Sequence, residues 1–390
     1  MRINKLLSVA DFERKALSIL PRAVVGFLCG GAEDNVSLNE NRQVFERLLF
    51  LSRSLSGATE VSRRVSLWGR QYTAPIGIAP MGVGALFAYE CDRALADAAS
   101  AHGIPHIVSG MSTVPLERLQ KTAPGGWYQA YVSADTASIG RLADRLHAAD
   151  VDVFVLTVDT AARGNRENNL RAGFSIPLRP NWRLLADGVL HLRWAATVFV
   201  RTLIADGIPR FCNVGDGAGQ RITAAAPPGP RNGAGLSWTH VAWIRERWKG
   251  RLVLKGLLHP GDAARAAAPG VDGVIVSNHG GRQLDGASSP LQALPGVLAA
   301  VPQGFLVMID GGFRRGADVL KAVALGASLV FLGRSMMYGA VVGAAAGVGA
   351  VIDLLNAEID RNLALLGCRG IADLSADLLV AAAAPALGRG

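Results

Sequence analysis

The chain of 390 residues is 50% hydrophobic and 18% charged, so it can build a sizeable core, and intrinsic disorder is excluded. Its 40 lysine and arginine residues outnumber 31 acidic ones and give a formal net charge of +9. This balance suits an anionic ligand, an acidic membrane surface or a nucleic acid, whereas four scattered cysteines predict neither a disulfide framework nor a metal site.

The N-terminal sequence carries Asp11, Glu13, Arg14 and Lys15 where a secretion signal would need an unbroken apolar core. We therefore expect a protein of the reducing cytoplasm. We also expect no ordinary membrane-spanning helix, which leaves open a helix that lies in the membrane interface.

Residues 1–60 are expected to be helical, with an apolar stripe over 41–49, and to cap one end of the domain. Eight short runs rich in β-branched residues follow, and a segment of helical period comes after each. The runs are 76–80, 106–110, 127–131, 153–157, 251–255, 273–277, 305–309 and 329–333. They are apolar on both faces, as buried parallel strands are, and predict an α/β fold, a (β/α)8 TIM barrel over residues 61–375.

The fourth run starts at residue 153 and the fifth at 251, a spacing too long for one helix and its loops, so we predict an insertion over 161–235. Within it, residues 181–208 mix large apolar residues with arginines and predict an amphipathic helix, either packed on the barrel or lying in a membrane interface. Residues 214–236 are rich in glycine, proline and alanine and predict a flexible lid. An Ala-rich tail, 376–390, carries no functional signal.

Polar residues are concentrated at the carboxyl ends of the predicted strands, where barrels of this kind hold their active sites. Lys255 ends the fifth strand, Asp159 follows the fourth and His279 follows the sixth. The other polar strand-end residues are Ser109, Gln129, Tyr131, Thr157, Ser277, Asn278 and Asp310. Their convergence from separate strands predicts an active site.

Two loops rich in glycine and arginine follow the seventh and eighth strands, at 310–316 and 333–335. Small residues let backbone N–H groups approach an anion, and barrels commonly bind phosphate here, so we predict a phosphate-bearing cofactor. His279 lies three residues before Arg282. A histidine base beside an arginine that can grip a carboxylate is what oxidation of a 2-hydroxy acid requires.

The motifs SNHGGRQLD (277–285) and DGGFRRGADVLKAVALGA (310–327) closely resemble those of the FMN-dependent 2-hydroxy acid oxidase and dehydrogenase family. Further matches follow in order: GGAEDNVSLNENRQVFERL (30–48), APIGIAP (74–80), WYQAYV (127–132), LTVDT (156–160), GNREN (164–168) and LVLKG (252–256). The resemblance implies that the protein binds FMN, needs no metal, oxidises an (S)-2-hydroxy acid to the 2-oxo acid and forms a homo-oligomer, as tetrameric members do.

The resemblance also implies roles for single residues. His279 would take the hydroxyl proton, Asp159 would stabilise the charged imidazole, and Tyr131, Arg166 and Arg282 would bind the substrate. The residues implied to bind FMN are Ala79, Ser109, Gln129, Thr157, Lys255, Ser277, Asp310, Gly312, Arg314, Gly333 and Arg334. Those implied to line the substrate pocket are Phe27, Gly82 and Met111.

Two departures from the family pattern bear on the substrate. Phe27 stands where members usually carry a tyrosine that hydrogen-bonds the carboxylate, and Gly82 stands where many small-acid oxidases carry alanine. A glycine at this position resembles the mandelate dehydrogenase branch of the family, and it implies more space above the flavin. We therefore predict a bulky or aromatic, mandelate-like substrate, and a quinone-type acceptor reached from the inner face of the cytoplasmic membrane.

Alternatives stay open. An L-lactate dehydrogenase, or a soluble oxidase that produces hydrogen peroxide, would use the same residues, and an inactive FMN-binding barrel would retain the fold. Nucleic-acid binding is not expected, because the arginines are scattered and no basic and aromatic stripe occurs.

Overall fold

The computed structural model describes residues 3–57, 60–175, 177–178, 182–214, 219–224, 235–268 and 270–382. Eight parallel strands form a barrel, which confirms the predicted fold. They are β1 (Ile76–Ile78), β2 (Ile107–Ser109), β3 (Trp127–Ala130), β4 (Val153–Thr157), β5 (Arg251–Leu257), β6 (Gly273–Val276), β7 (Leu306–Asp310) and β8 (Leu329–Leu332). Strand β8 pairs with β1, and a bridge between Ile78 and His106 joins β1 to β2, so the sheet closes on itself.

The described helices surround this sheet. They are α1 (Val9–Ile19), α2 (Arg22–Cys29), α3 (Val36–Gln43), α4 (Cys91–Ala101), α5 (Leu116–Thr122), α6 (Thr136–Ala148), α7 (Glu167–Arg171), α8 (Trp182–Leu190), α9 (Leu192–Trp194), α10 (Arg201–Asp206), α11 (Trp238–Arg247), α12 (Pro260–Ala267), α13 (Pro290–Ala300), α14 (Gly316–Ala324) and α15 (Arg334–Leu366). Short strands pair outside the barrel: Leu48–Phe50 with Leu379–Ala381, Val65–Leu67 with Arg70–Tyr72, and Arg210–Phe211 with Gln220–Arg221.

Side chains along each strand alternate between the lumen and the surrounding helices. Large apolar residues fill the lumen: Ile107, Trp127, Val153, Val155, Val253, Ile275, Met308, Leu329 and Phe331. Two residues further along six of these strands the chain carries a polar residue that faces the same way. The period of two therefore places these polar groups together at the carboxyl end of the lumen.

The hairpin Val65–Leu67 and Arg70–Tyr72, which the sequence analysis missed, buries Leu67 and Tyr72 in the lumen cluster. Trp68 lies between its strands, with its ring centroid 5.5 Å from that of Trp127. Trp127 begins β3, so this hairpin closes the amino end of the barrel. The N-terminal helices lie elsewhere: α1 packs along α15, and α2 contributes to the opposite mouth.

The prediction that residues 1–60 are helical is wrong at their end. Helix α3 stops at Gln43, a 3-10 turn covers Val44–Arg47, and Leu48–Phe50 is a strand. Its partner is the strand Leu379–Ala381, which belongs to the predicted tail, so the first part of that tail is an ordered piece of the fold. Residues 383–390 lie outside the described residues.

Helix α15 bears on our expectation about membrane spans. Residues 335–352 carry no charged side chain, and by length and mean hydropathy (1.8) this is one helix of the described chain that could cross a membrane. However, 61% of the apolar window is buried inside the protein, against α4 and α1, and the helix kinks at Gly343 and Ala344. These contacts make α15 a core helix.

Residues 182–206 form two helical segments rather than one amphipathic helix: α8, and a continuous stretch in which α9 leads through a π-helical turn at Ala195–Val200 into α10. One side is anchored, because the buried Trp194 donates a hydrogen bond from Nε1 to the backbone oxygen of Leu86 at 2.8 Å. The other side exposes Leu190, Leu192 and Ile204, which are 81%, 73% and 81% accessible. Most of the predicted lid, at 215–218 and 225–234, lies outside the described residues.

Substitutions on α15 test its assignment to the core. Leu355 is fully buried and Leu365 is 66% exposed on the same helix. We expect Leu355→Ala to cost about 2–5 kcal/mol in unfolding free energy, since it leaves a cavity, and Leu365→Ala to cost less than about 0.5 kcal/mol. Urea denaturation followed by circular dichroism measures both. Equal losses would contradict the packing described.

Candidate active site

A chain of hydrogen bonds crosses the carboxyl end of the lumen between β2, β3 and β4. Ser109 Oγ donates to Gln129 Oε1 at 3.4 Å, and Gln129 Nε2 donates to Thr157 Oγ1 at 2.8 Å. All three side chains are buried. The bonds fix the amide orientation of Gln129, and with it the polar floor of the site.

Lys255 places a positive charge in this floor. Its Nζ lies 2.8 Å from Asp310 Oδ2 and donates to Ser277 Oγ at 2.8 Å. Burial by itself lowers the pKa of Lys255, but the carboxylates of Asp310 and Asp159 outweigh burial, and the pKa is raised. Lys255 is therefore a cation at neutral pH. The second oxygen of Asp310 is also buried and has no hydrogen-bond partner among the residues that the structure describes.

His279 stands above the floor between two partners. Its Nδ1 lies 2.9 Å from Asp159 Oδ1, and its Nε2 lies 3.2 Å from the hydroxyl of Tyr131. Burial raises the pKa of Asp159, but His279 and Lys255 together more than offset this and lower it. A carboxylate on Nδ1 favours the tautomer in which Nδ1 carries the proton, so Nε2 faces the cavity as a base.

Backbone geometry supports this pair. His279 adopts φ +58°, a left-handed conformation that costs a residue with a Cβ of order 1 kcal/mol or more and that is commonest at functional sites. Gly256 adopts φ +106°, and a Cβ there would lie 2.6 Å from Cγ of Asp159. Glycine at 256 therefore makes room for the carboxylate behind the imidazole.

Arg166, Arg282, Arg314 and Arg334 gather at the mouth. Within the described chain none of these four pairs with a carboxylate. Their hydrogen bonds go to backbone oxygens and to Gln283 Oε1 instead. Burial lowers the pKa values of Arg166, Arg282 and Arg334, and neighbouring guanidinium groups lower them further. Such crowding of like charges is relieved by anions, so the mouth is built to bind anionic groups.

One cavity of about 1140 Å³, including its open mouth, connects these groups. Its other wall is apolar and is formed by Phe27, Leu28, Pro80, Met81, Gly82, Val83, Phe87 and Met111. The ring of Phe27 stacks on the ring of Phe174, with 4.4 Å between the two centroids. Arg282 Cζ lies 5.2 Å from the centroid of the Phe27 ring. A Cβ at Gly82 would lie 2.7 Å from Cβ of Met111, so glycine keeps this wall open.

The structure brings the residues identified from sequence together. Most of them line the cavity, while Gln129, Asp159 and Ser277 lie behind it and hydrogen-bond to residues that do. Sequence reasoning missed the aromatic residues Phe87 and Phe174. It also gave no role to Gln283, which donates to the backbone oxygen of Asp159 and accepts from Arg166. Gln283 lies inside SNHGGRQLD, so its place in that motif was the available signal.

Comparison with known proteins gives consistent matches. The family described as FMN-dependent dehydrogenase matches residues 16–381. The (S)-mandelate dehydrogenase of Pseudomonas putida is 39% identical over 96% of this chain and 94% of that protein. An L-lactate dehydrogenase of Azorhizobium caulinodans is 34% identical over 95% of this chain and 97% of that protein. The crystal structure of the monotopic membrane protein (S)-mandelate dehydrogenase superposes with a TM-score of 0.90, at 38% identity, over 97% of this chain and 100% of that one.

The residues present fit FMN. Arg314 and Arg334 offer unpaired cations for its phosphate, and the glycines of the same loops leave backbone close to the ligand. The unpartnered oxygen of Asp310 suits a hydroxyl of the ribityl chain. The buried polar groups of Ser109, Gln129, Thr157 and Lys255 suit the polar edge of the flavin ring.

Loss of either phosphate-facing arginine should weaken FMN binding. A charged hydrogen bond contributes about 1.5–3 kcal/mol, so Arg314→Ala or Arg334→Ala is expected to raise the FMN dissociation constant by about 10- to 100-fold. Quenching of FMN fluorescence measures it. Arg315→Ala is the matched control, since Arg315 is adjacent but ion-paired with Glu358. An equal loss in the control would refute a local phosphate site.

Proposed function

The chain belongs to the FMN-dependent dehydrogenase family, which oxidises 2-hydroxy acids, and we propose that its own substrate is a bulky, aromatic (S)-2-hydroxy acid of the mandelate type. The observation that carries the proposal is the position of His279, braced by Asp159, beside two unpaired guanidinium groups and an apolar wall. These parts match the hydroxyl, the carboxylate and the side chain of such a substrate.

The residues divide the work. Nε2 of His279 would remove the hydroxyl proton, and Asp159 would stabilise the resulting imidazolium. Arg166 and Arg282 would hold the carboxylate, which fixes the α-carbon in front of the base. FMN, when bound, supplies the two-electron oxidant, and the charge of Lys255 would stabilise the negative charge of the reduced flavin.

The apolar wall bears on substrate size. Gly82 has no side chain, so the space beside Met111 that an alanine methyl group would occupy stays free. Phe27, Phe87 and Met81 provide apolar surface that an aromatic ring of the substrate could contact. Phe27 carries no hydroxyl, so the carboxylate would be held by arginines alone. Loss of a charged hydrogen bond weakens binding of small acids most, because they have least apolar contact to compensate.

The insertion supports membrane attachment. Leu190, Leu192, Ile204 and Phe199 are exposed beside arginines, which is the composition of interfacial anchors. We propose that the protein attaches peripherally to the inner face of the cytoplasmic membrane and reduces a quinone-type acceptor there. We also propose that the protein forms a homo-oligomer, which the family resemblance implies is a tetramer.

Anaerobic reduction of the bound flavin tests the substrate. We expect (S)-mandelate to bleach the flavin faster than L-lactate or glycolate, and His279→Ala to slow this by at least about 100-fold while FMN stays bound. His147→Ala, on the surface of α6, is the matched control. Gly82→Ala should penalise mandelate more than lactate. If lactate reduces the flavin fastest, the protein is an L-lactate dehydrogenase instead.

Flotation with phosphatidylglycerol vesicles tests the attachment. The double variant Leu192→Ser/Ile204→Ser removes exposed apolar surface and should weaken binding about tenfold or more, while reduction of an artificial acceptor is kept. The double variant Leu55→Ser/Leu365→Ser is the matched control, because it changes two exposed apolar residues outside the insertion and should leave vesicle binding unchanged. Binding that is unaffected by the first pair would contradict attachment through the insertion. Absence of binding by the unaltered protein, together with rapid reoxidation by air, would support the soluble oxidase.

A further inference from the structure

Helix α3 and the loop that carries His279 are joined by a closed pair of amides. Asn41 Nδ2 donates to Asn278 Oδ1 at 2.8 Å, and Asn278 Nδ2 donates to Asn41 Oδ1 at 2.8 Å. Both side chains are buried, and neither lines the cavity. Asn278 directly precedes the base, so the pair fixes the chain at the residue before His279.

The same helix holds the rest of this loop. The carboxylate of Asp285 accepts hydrogen bonds from the N–H groups of Asp34, Val36 and Ser37, at the start of α3. Packing is also tight, since a Cβ at Gly281 would lie 2.5 Å from the backbone nitrogen of Leu38. The loop between His279 and Asp285 is therefore held against α3 at Gly281 and at Asp285.

Helix α3 also reaches the loop that faces the phosphate. A Cβ at Gly312 would lie 1.9 Å from the backbone oxygen of Asn41. The adjacent Arg42 donates to the backbone oxygen of Gly312 and pairs with Asp318 at 2.7 Å. Asp318 in turn accepts a hydrogen bond from the backbone N–H of Arg314 at 2.9 Å. One turn of helix thus contacts both active-site loops through neighbouring residues.

We propose that Asn41 is a positioning residue that sets the catalytic base against the substrate, and that Arg42 separately positions the phosphate loop. The inference rests on the proposed role of His279 as the base. Three successive residues from His279 to Gly281 adopt left-handed backbone, at φ +58°, +66° and +74°. The amide pair with α3 fixes Asn278, the residue directly before this stretch. The backbone oxygens of Gly280 and Gly281 accept further hydrogen bonds, from Arg334 and from the N–H of Ala32.

Two neighbouring substitutions separate the roles. In Asn41→Ala we expect the rate of flavin reduction at saturating (S)-mandelate to fall by tenfold to about 100-fold, because small displacements of a catalytic group have effects of this size. The FMN dissociation constant should stay near that of the unaltered protein. In Arg42→Ala we expect the reverse: about tenfold weaker FMN binding and near-normal reduction once FMN is saturating. Stopped-flow absorbance and fluorescence quenching measure the two quantities.

Further variants control for folding. Asn278→Ala should behave as Asn41→Ala does, and the double variant, which leaves no buried amide unpaired, should fold better yet reduce its flavin as slowly as either single variant. Asn356→Ala removes another buried asparagine, on α15, and should keep the normal rate. A normal rate in the Asn41 variants, an equal loss of rate in Asn356→Ala, or FMN loss in Asn41→Ala would each overturn the proposal.

His279→Ala measured alongside separates this inference from the function on which it rests. If His279→Ala is slow and Asn41→Ala is not, only the positioning role fails. If His279→Ala keeps its rate, the base is misassigned and both fall together.

Discussion

The site depends on the alternation of side chains along eight parallel strands that all end at one mouth. Because the period is two, a residue that fills the lumen is followed two positions later by one that faces the same way nearer the mouth. Val253 is followed by Lys255, Met308 by Asp310 and Val155 by Thr157 in this manner. The charge of Lys255 can be buried there because β7, two strands along the sheet, places Asp310 beside it. Core packing and cofactor chemistry are thus successive layers of one lumen.

Much of the fold could be predicted from sequence because each barrel strand is a continuous apolar run with polar residues at its end. The errors have other causes, one for each element. Residues 41–49 carry an apolar stripe of helical period, yet Leu48–Phe50 becomes a strand because it pairs with Leu379–Ala381, more than 300 residues away. The hairpin at 65–72 has strands of three residues, too short for a periodic signal. Helix α15 is apolar because it is enclosed, and composition alone does not distinguish this from a membrane span.

The residues of the site also fall into those that the sequence could predict and those that it could not. Residues at strand ends, such as His279 and Lys255, could be found because the fold predicts where those ends meet. The aromatic contact of Phe27 with Phe174 and the amide pair of Asn41 with Asn278 could not, because each joins segments far apart in the chain. Mutual geometry of that kind is a property of tertiary packing. Roles that depend on it can therefore be argued only once the folded structure is known.

Closure of the barrel has a consequence for how the protein is made. Strand β1 has β8 as its partner on one side, and the ribosome delivers β8 some 250 residues later. Until then one edge of the growing sheet stays open, and Arg334, which follows β8, is still missing from the anion site. If Arg334 holds the cofactor phosphate as proposed, the nascent chain lacks a complete phosphate site, and cofactor capture would follow synthesis of nearly the entire polypeptide. Abundance in the cell should consequently respond to flavin supply through the newly finished chain, not through partly synthesised ones.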